Sequence, residues 1–117
     1  MTLQALKDSL ATLSVTTYVG YPPTGARLPY VVLRPMLVDP STDSLAGVAI
    51  DWDSQVAAYC AAASAEASGN LSVSVMRTLH GARVAGHVLR TSMGYMGAQV
   101  EGHYESQVTI QCNQGAI

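Results

Sequence analysis

Three histidines, two cysteines, a closely spaced aspartate pair and one glycine-spaced loop are the groups in this chain that could do chemistry. His80, His87 and His103 offer enough imidazoles for Zn²⁺, but their spacings of seven and sixteen residues match no metal-binding pattern. They fall on a helix end and two different strands, so they read as surface or interface histidines. Asp51 and Asp53 share one strand face. Mg²⁺ or Ca²⁺ would need several more oxygens, and nothing nearby in sequence completes that shell. The pair therefore reads as a solvated or subunit-contacting face. Gly81-Ala82-Arg83-Val84-Ala85-Gly86-His87 has the glycine spacing of a phosphate loop, yet His87 stands where the lysine belongs. The run also follows a helix instead of a strand, which removes the geometry that cradles a phosphate. Cys60 and Cys112 each take the apolar parity of their strand, which predicts free, buried thiols in a reducing compartment. Trp52 reads as a core residue. Asn70-Leu71-Ser72 fits a glycosylation sequon, which has meaning only in a secreted chain. Neither a Gly-x-Ser-x-Gly elbow nor a His-Glu-x-x-His pair occurs. The expectation is a protein with no enzyme activity, metal or cofactor.

The elements that would position these residues follow from periodicity. Leu3, Leu6, Leu10 and Leu13 recur at steps of three and four, predicting a helix with one apolar stripe and Thr2 as its N-cap. Val15 to Val19 reads as a strand, ended by Gly20 and Pro22-Pro23, with a loop from Tyr21 to Arg27. A second strand spans Leu28 to Leu37, opened by Pro29 and kinked or ended at Pro35. Asp39 to Asp43 forms a polar connection. From Val48 to Cys60 a long alternation sets Val48, Ile50, Trp52, Ser54, Val56, Ala58 and Cys60 on one face. Asp51, Asp53, Gln55, Ala57 and Tyr59 take the other. That length exceeds what one sheet layer usually needs and predicts an arm or a wrap around a neighbour.

Ser64 starts a second helix, with Ala67, Leu71, Val75 and Leu79 at four-residue steps and Gly81 as the stop. Gly69-Asn70 weakens its middle. Two further strands, Val84 to Met93 and His103 to Cys112, are joined by a loop from Gly94 to Gly102. The order predicts a single α+β domain over residues 1–117: a mainly antiparallel or mixed sheet of about five strands with two helices on one face.

Composition narrows the function classes. Apolar residues make up 49%, enough for a real core in one domain. A net charge of −2 excludes a strongly basic nucleic-acid binder and offers no patch for anionic membranes. No apolar run approaches the ~20 residues of a membrane helix, and Met1 to Lys7 has no basic start typical of a signal peptide. Charged residues are 12%, about half the ~25% usual for a soluble domain. So sparse a charge leans towards a subunit covered by neighbours. The loop from Gly94 to Gly102 fits that role, since its three glycines are costly to order while Tyr95, Met96 and Val100 are apolar. It is expected to be mobile in the free subunit and pinned on assembly. Asp39, Asp43, Asp51 and Asp53 are the other candidate contact residues.

Leu28-Pro29-Tyr30-Val31-Val32-Leu33, preceded by an amphipathic helix, a Tyr18-Val19 strand and a proline-containing loop, resembles the tail terminator proteins of long, non-contractile-tailed bacteriophages. The long strand through Trp52 to Tyr59, the helix carrying Ala67 to Leu79, the Gly81-x-Arg83-Val84 turn and the closing Tyr104 to Cys112 strand extend the likeness over nearly the whole chain. The resemblance implies a homohexameric ring at the head-proximal end of the tail tube. Such a ring stops tube polymerisation and presents a surface for head joining. It implies as partners the tail tube protein and a head–tail connector or stopper protein, with DNA passing through the lumen without specific binding. The place implied is the virion neck, after assembly in the host cytoplasm. Rival readings are another neck component (a head-completion or stopper protein) and, further off, a small soluble enzyme or ligand-binding domain.

Overall fold

A computed structural model describes residues 3–35, 53–84 and 87–113. Helix α1 spans Leu3–Ser9 and runs into one 3-10 turn, Ala11–Leu13. Its stripe does what the spacing predicts: Leu6 and Leu10 are fully buried, and Leu13 packs beside them. Ser14, in left-handed conformation at φ 58°, ends the turn and sends the chain into the sheet. Thr2 lies outside the described residues.

Strands β1 (Thr16–Val19), β2 (Tyr30–Pro35) and β3 (Asp53–Ala62) precede helix α2 (Ala65–Leu79); β4 (Arg83–Val84), β5 (His87–Val100) and β6 (His103–Asn113) follow it. They form one six-stranded sheet in the order β1-β2-β3-β6-β5-β4. Only β1 and β2 run parallel; the other neighbours are antiparallel. The fold is α+β, with one strand more than the pattern predicted. The addition is β4, whose two residues are too few to show an alternation.

Both helices cover the same face. Helix α2 lies on β3, β5 and β6, whereas α1 touches β1, β2 and β4. The sheet is curled, so one short helix reaches strands from both of its ends. Leu6 and Leu10 from α1 and Val75 and Leu79 from α2 share a core with Val31, Leu33, Val56, Ala58, Cys60, Leu89, Val108 and Ile110. Full burial of each large aliphatic side chain contributes about 1.5–3 kcal/mol.

Helix α2 begins where predicted, with the Ser64 hydroxyl accepting the Ala67 N–H at 3.0 Å. It runs unbroken through Gly69-Asn70, and its buried face differs from the four-residue pattern. Ser68, Gly69, Ser72, Val75 and Leu79 face the sheet, while Ala67 is exposed and Leu71 half-buried. The first half of the helix lies so close to the sheet that only small residues fit beneath it. A Cβ on Gly69 would stand 3.0 Å from Met96 Sδ.

The stretch from Gly94 to Gly102 is not a loop. Strand β5 continues to Val100, and only Glu101-Gly102 turns, with Gly102 at φ +82°. The glycines that resemble loop residues instead sit at two irregularities of pairing, between Met93 and Tyr95 and between Tyr95 and Ala98. At Gly97, φ is +69° and its N–H donates to Ser106 Oγ at 2.9 Å. The long alternation before Asp53, including Val48 to Trp52, lies outside the described residues.

Candidate assembly surface

The face of the sheet without helices carries the polar chemistry. Five of the six tyrosines gather there: Tyr18, Tyr30, Tyr59 and Tyr95 from the strands, and Tyr21 from the loop after β1. Tyr18 meets Tyr30 edge-on at 5.8 Å between centroids, and Tyr30 reaches His103 at 6.2 Å. Arg34 lies between the rings of Tyr21 (4.3 Å) and Tyr59 (5.2 Å), and its Nε–H donates to Gly20 O at 2.8 Å. Tyr30, Val32 and Ala61 are buried, with Ala26 and Leu28 of the loop packed on them. Alternation predicted that Ala57 and Tyr59 point away from the core. It gave no sign that a loop folds over this face and makes a second, smaller cluster of it.

Glu105 lies at the centre of that face. It accepts a hydrogen bond from Tyr95 Oη at 2.5 Å and sits 4.0 Å from His103 Nε2. Burial, then the hydrogen bond and charge of Glu105, push the Tyr95 phenol well above its ordinary value. Burial, followed by Glu105, raises Tyr30 as well. On the helix side, burial pushes the Cys60 thiol up to about 12. That thiol is inert at neutral pH.

The candidate chemical groups do not converge. His80 is tied to β5: its Nδ1 accepts the Thr91 backbone N–H at 3.1 Å, and the Thr91 hydroxyl stands 3.2 Å away. His103 is on the outer face, and His87 opens β5 beside β4. Among the described residues, no three His, Cys, Asp or Glu are placed to hold a metal ion. In the loop after α2, the Gly81 N–H donates to Leu89 O and the Ala82 N–H to Leu79 O, so neither amide is offered to a phosphate. Cys112 lies opposite Ser54, six positions along β3 from Cys60, a separation of about 20 Å that forbids a bridge within the chain. The sequon Asn70 is exposed on α2, and Ser72 is buried, donating to Gly69 O at 2.6 Å. No described helix is long and apolar enough to cross a membrane.

Comparison with protein-family models, curated proteins and solved structures returned no match. The surface must therefore be read from its own geometry.

Of the contact residues expected from sequence, Tyr95, Met96 and Val100 lie on the last half of β5. Met96 is 57% exposed and Tyr95 36%, the first crossing α2 at Gly69 and the second anchored to Glu105. Asp53 opens β3 opposite Asn113. Asp39, Asp43 and Asp51 lie outside the described residues. Two further features had no sequence signal. Among the described residues no strand pairs with the outer edge of β1, or with β5 beyond its short pairing with β4. Beside the β1 edge, Lys7 and Asp8 of α1, Ala11 of the 3-10 turn, Val15 and Thr17 line a groove of about 370 Å³.

Proposed function

We propose that this protein is a structural ring subunit of a phage tail, a tail terminator that caps the head-proximal end of the tail tube. The observation that carries the proposal is a pair of unlike edges left unpaired among the described residues: the outer edge of β1 and, towards the other end of the sheet, the part of β5 that extends past the two-residue β4. A closed ring is built from heterologous contacts, in which one patch of each copy meets a different patch of the next. The Leu28 to Leu33 string, now the entry to β2 at the centre of the second cluster, supplies the likeness to the terminator family. Low charge on the surface supports extensive contact with neighbours.

The dimensions are compatible with a ring around DNA. With extents of 46 × 25 × 22 Å, six copies standing side by side across their 25 Å width make a circle about 48 Å in mean diameter. At 22 Å thick they leave a hole of about 26 Å, the scale of a duplex. A net charge of −2 favours passage over gripping. The expected partners are the tube protein below the ring and a connector or stopper protein above it.

Native mass spectrometry and electron microscopy test the ring: six copies and six-fold views are expected. Added to polymerising tube subunits, the protein should arrest growth and sit at one end of each tube. A protein that stays monomeric and leaves tube length unchanged overturns the proposal. Binding to the portal side alone would make it a stopper or head-completion protein instead.

A further inference from the structure

Thr17 is 6% exposed, its hydroxyl has no hydrogen-bond partner among the described residues, and it lines the groove between α1 and the outer edge of β1. An unsatisfied buried hydroxyl costs about 1–3 kcal/mol, so a folded chain keeps one where something completes it. The edge of β1 adds a row of main-chain donors and acceptors, which an extended segment satisfies best. Lys7, on the rim of the same groove, has no ion pair among the described residues, and the neighbouring Asp8 is already engaged by Gln4 Nε2 at 2.9 Å. The groove is thus made for an extended segment with a small apolar surface and one free anion.

The far end of the β5–β6 hairpin has that composition. Among the described residues, the outer edge of β5 beyond Thr91 has no partner strand, Met96 is largely exposed, and Glu101 in the turn is exposed without an ion pair. The two surfaces lie on different strands, at the β1 end of the sheet and on the part of β5 that runs past β4. They are unlike patches, as a closed ring demands.

We infer that the hairpin end of one copy, Tyr95 to Glu101, docks into the α1–β1 groove of the next copy. The docked strand adds its backbone to the edge of β1, meets the Thr17 hydroxyl and sets Glu101 against Lys7. This rests on the ring reading and specifies its contact.

Charge exchange tests it in the whole chain. Lys7→Glu at the half-buried rim of the groove and Glu101→Lys in the exposed turn should each weaken association about tenfold, and the double exchange should recover it to within about threefold. Thr17→Val keeps the shape and removes the orphan hydroxyl. The isolated subunit should unfold at an equal or higher temperature, while association weakens about threefold or more. Sedimentation velocity across a concentration series reads both effects. Rings that form as well as wild type in all these variants overturn the docking and leave the ring standing. If the unmodified protein stays monomeric at every concentration, both fail.

Discussion

Adding one methyl group at Gly69 and one at Gly97 should move stability in opposite directions. Gly69 sits inside α2, where alanine is better than glycine by about 0.8–1 kcal/mol. Its new Cβ would meet Met96 Sδ at 3.0 Å and Cγ at 3.2 Å, but that side chain is flexible and 57% exposed, so it can swing aside. The net expectation for Gly69→Ala is a gain of about 0.5–1 kcal/mol. Gly97 has φ +69°, which costs an alanine about 1–2 kcal/mol. Its Cβ would also stand 3.1 Å from Ala65 Cβ and 3.6 Å from Ala65 Cα, atoms fixed at the start of α2. Gly97→Ala should therefore lose about 2 kcal/mol. At about 2.1 cal/mol/K per residue, unfolding 117 residues gains about 0.25 kcal/mol/K of entropy. The shifts in Tm are then about +3 °C for Gly69→Ala and about −8 °C for Gly97→Ala. Thermal unfolding by circular dichroism, at concentrations where the subunit is not assembled, measures both. A fall in Tm for Gly69→Ala would show that Met96 is fixed over the helix, and Met96→Ala should then restore the loss. A neutral Gly97→Ala would refute the left-handed bulge.

Three other outcomes follow from the same packing. Burial raises the Cys60 thiol, so the folded state favours its neutral form: that stability is complete below the unfolded value of about 8.5 and is lost as pH climbs towards about 12. Urea unfolding from pH 7.5 upward should show an alkaline loss that Cys60→Ala flattens, and in a Cys112→Ser background the native thiol should resist disulfide reagents until the chain unfolds. Ser106 is fully buried and serves both Gly97 N–H and the Ser68 hydroxyl, 2.5 Å away, so Ser106→Ala should cost about 2–3 kcal/mol; an unchanged urea midpoint would refute that role. Arg34→Lys gives up a planar contact with two tyrosine rings and the Nε bond to Gly20, and should cost about 1 kcal/mol, seen as a lower urea midpoint.

Much of the architecture was legible because burial here is periodic. Leu6 and Leu10 mark the core side of α1, Val56, Ala58 and Cys60 that of β3, and Val108 and Ile110 that of β6, each at the period of its element. Ser64 and Gly81 bracket α2 by local cap chemistry. What periodicity missed depends on contacts distant in sequence. Nothing local says that Ser68, Gly69 and Ser72 are buried; they are small because the hairpin lies against them. Nothing local separates a glycine in a turn from one at an irregular strand pairing, since both exploit the same backbone freedom. The orphan hydroxyl of Thr17 and the cluster around Glu105 arise from strand order, which a linear pattern does not contain.

Because Gly94 to Val100 is strand and only Glu101-Gly102 turns, the segment would serve the proposed assembly differently from a loop. A mobile loop would have to be ordered on contact, at about 1–2 kcal/mol of backbone entropy for each residue fixed. Here two ties hold the segment before any neighbour arrives: Gly97 N–H to Ser106 and Tyr95 to Glu105. A preformed strand loses little further freedom on docking, so its apolar contacts count more fully towards association. The same strand carries a hazard, because an open β edge invites pairing with any other. Bulges at Gly94 and Gly97 break its regularity, and His80 occupies the Thr91 N–H with a side chain where a strand would otherwise bind. Among the described residues the edge from Tyr95 onward is open but interrupted at Gly97, which confines pairing to a partner shaped for that irregular edge.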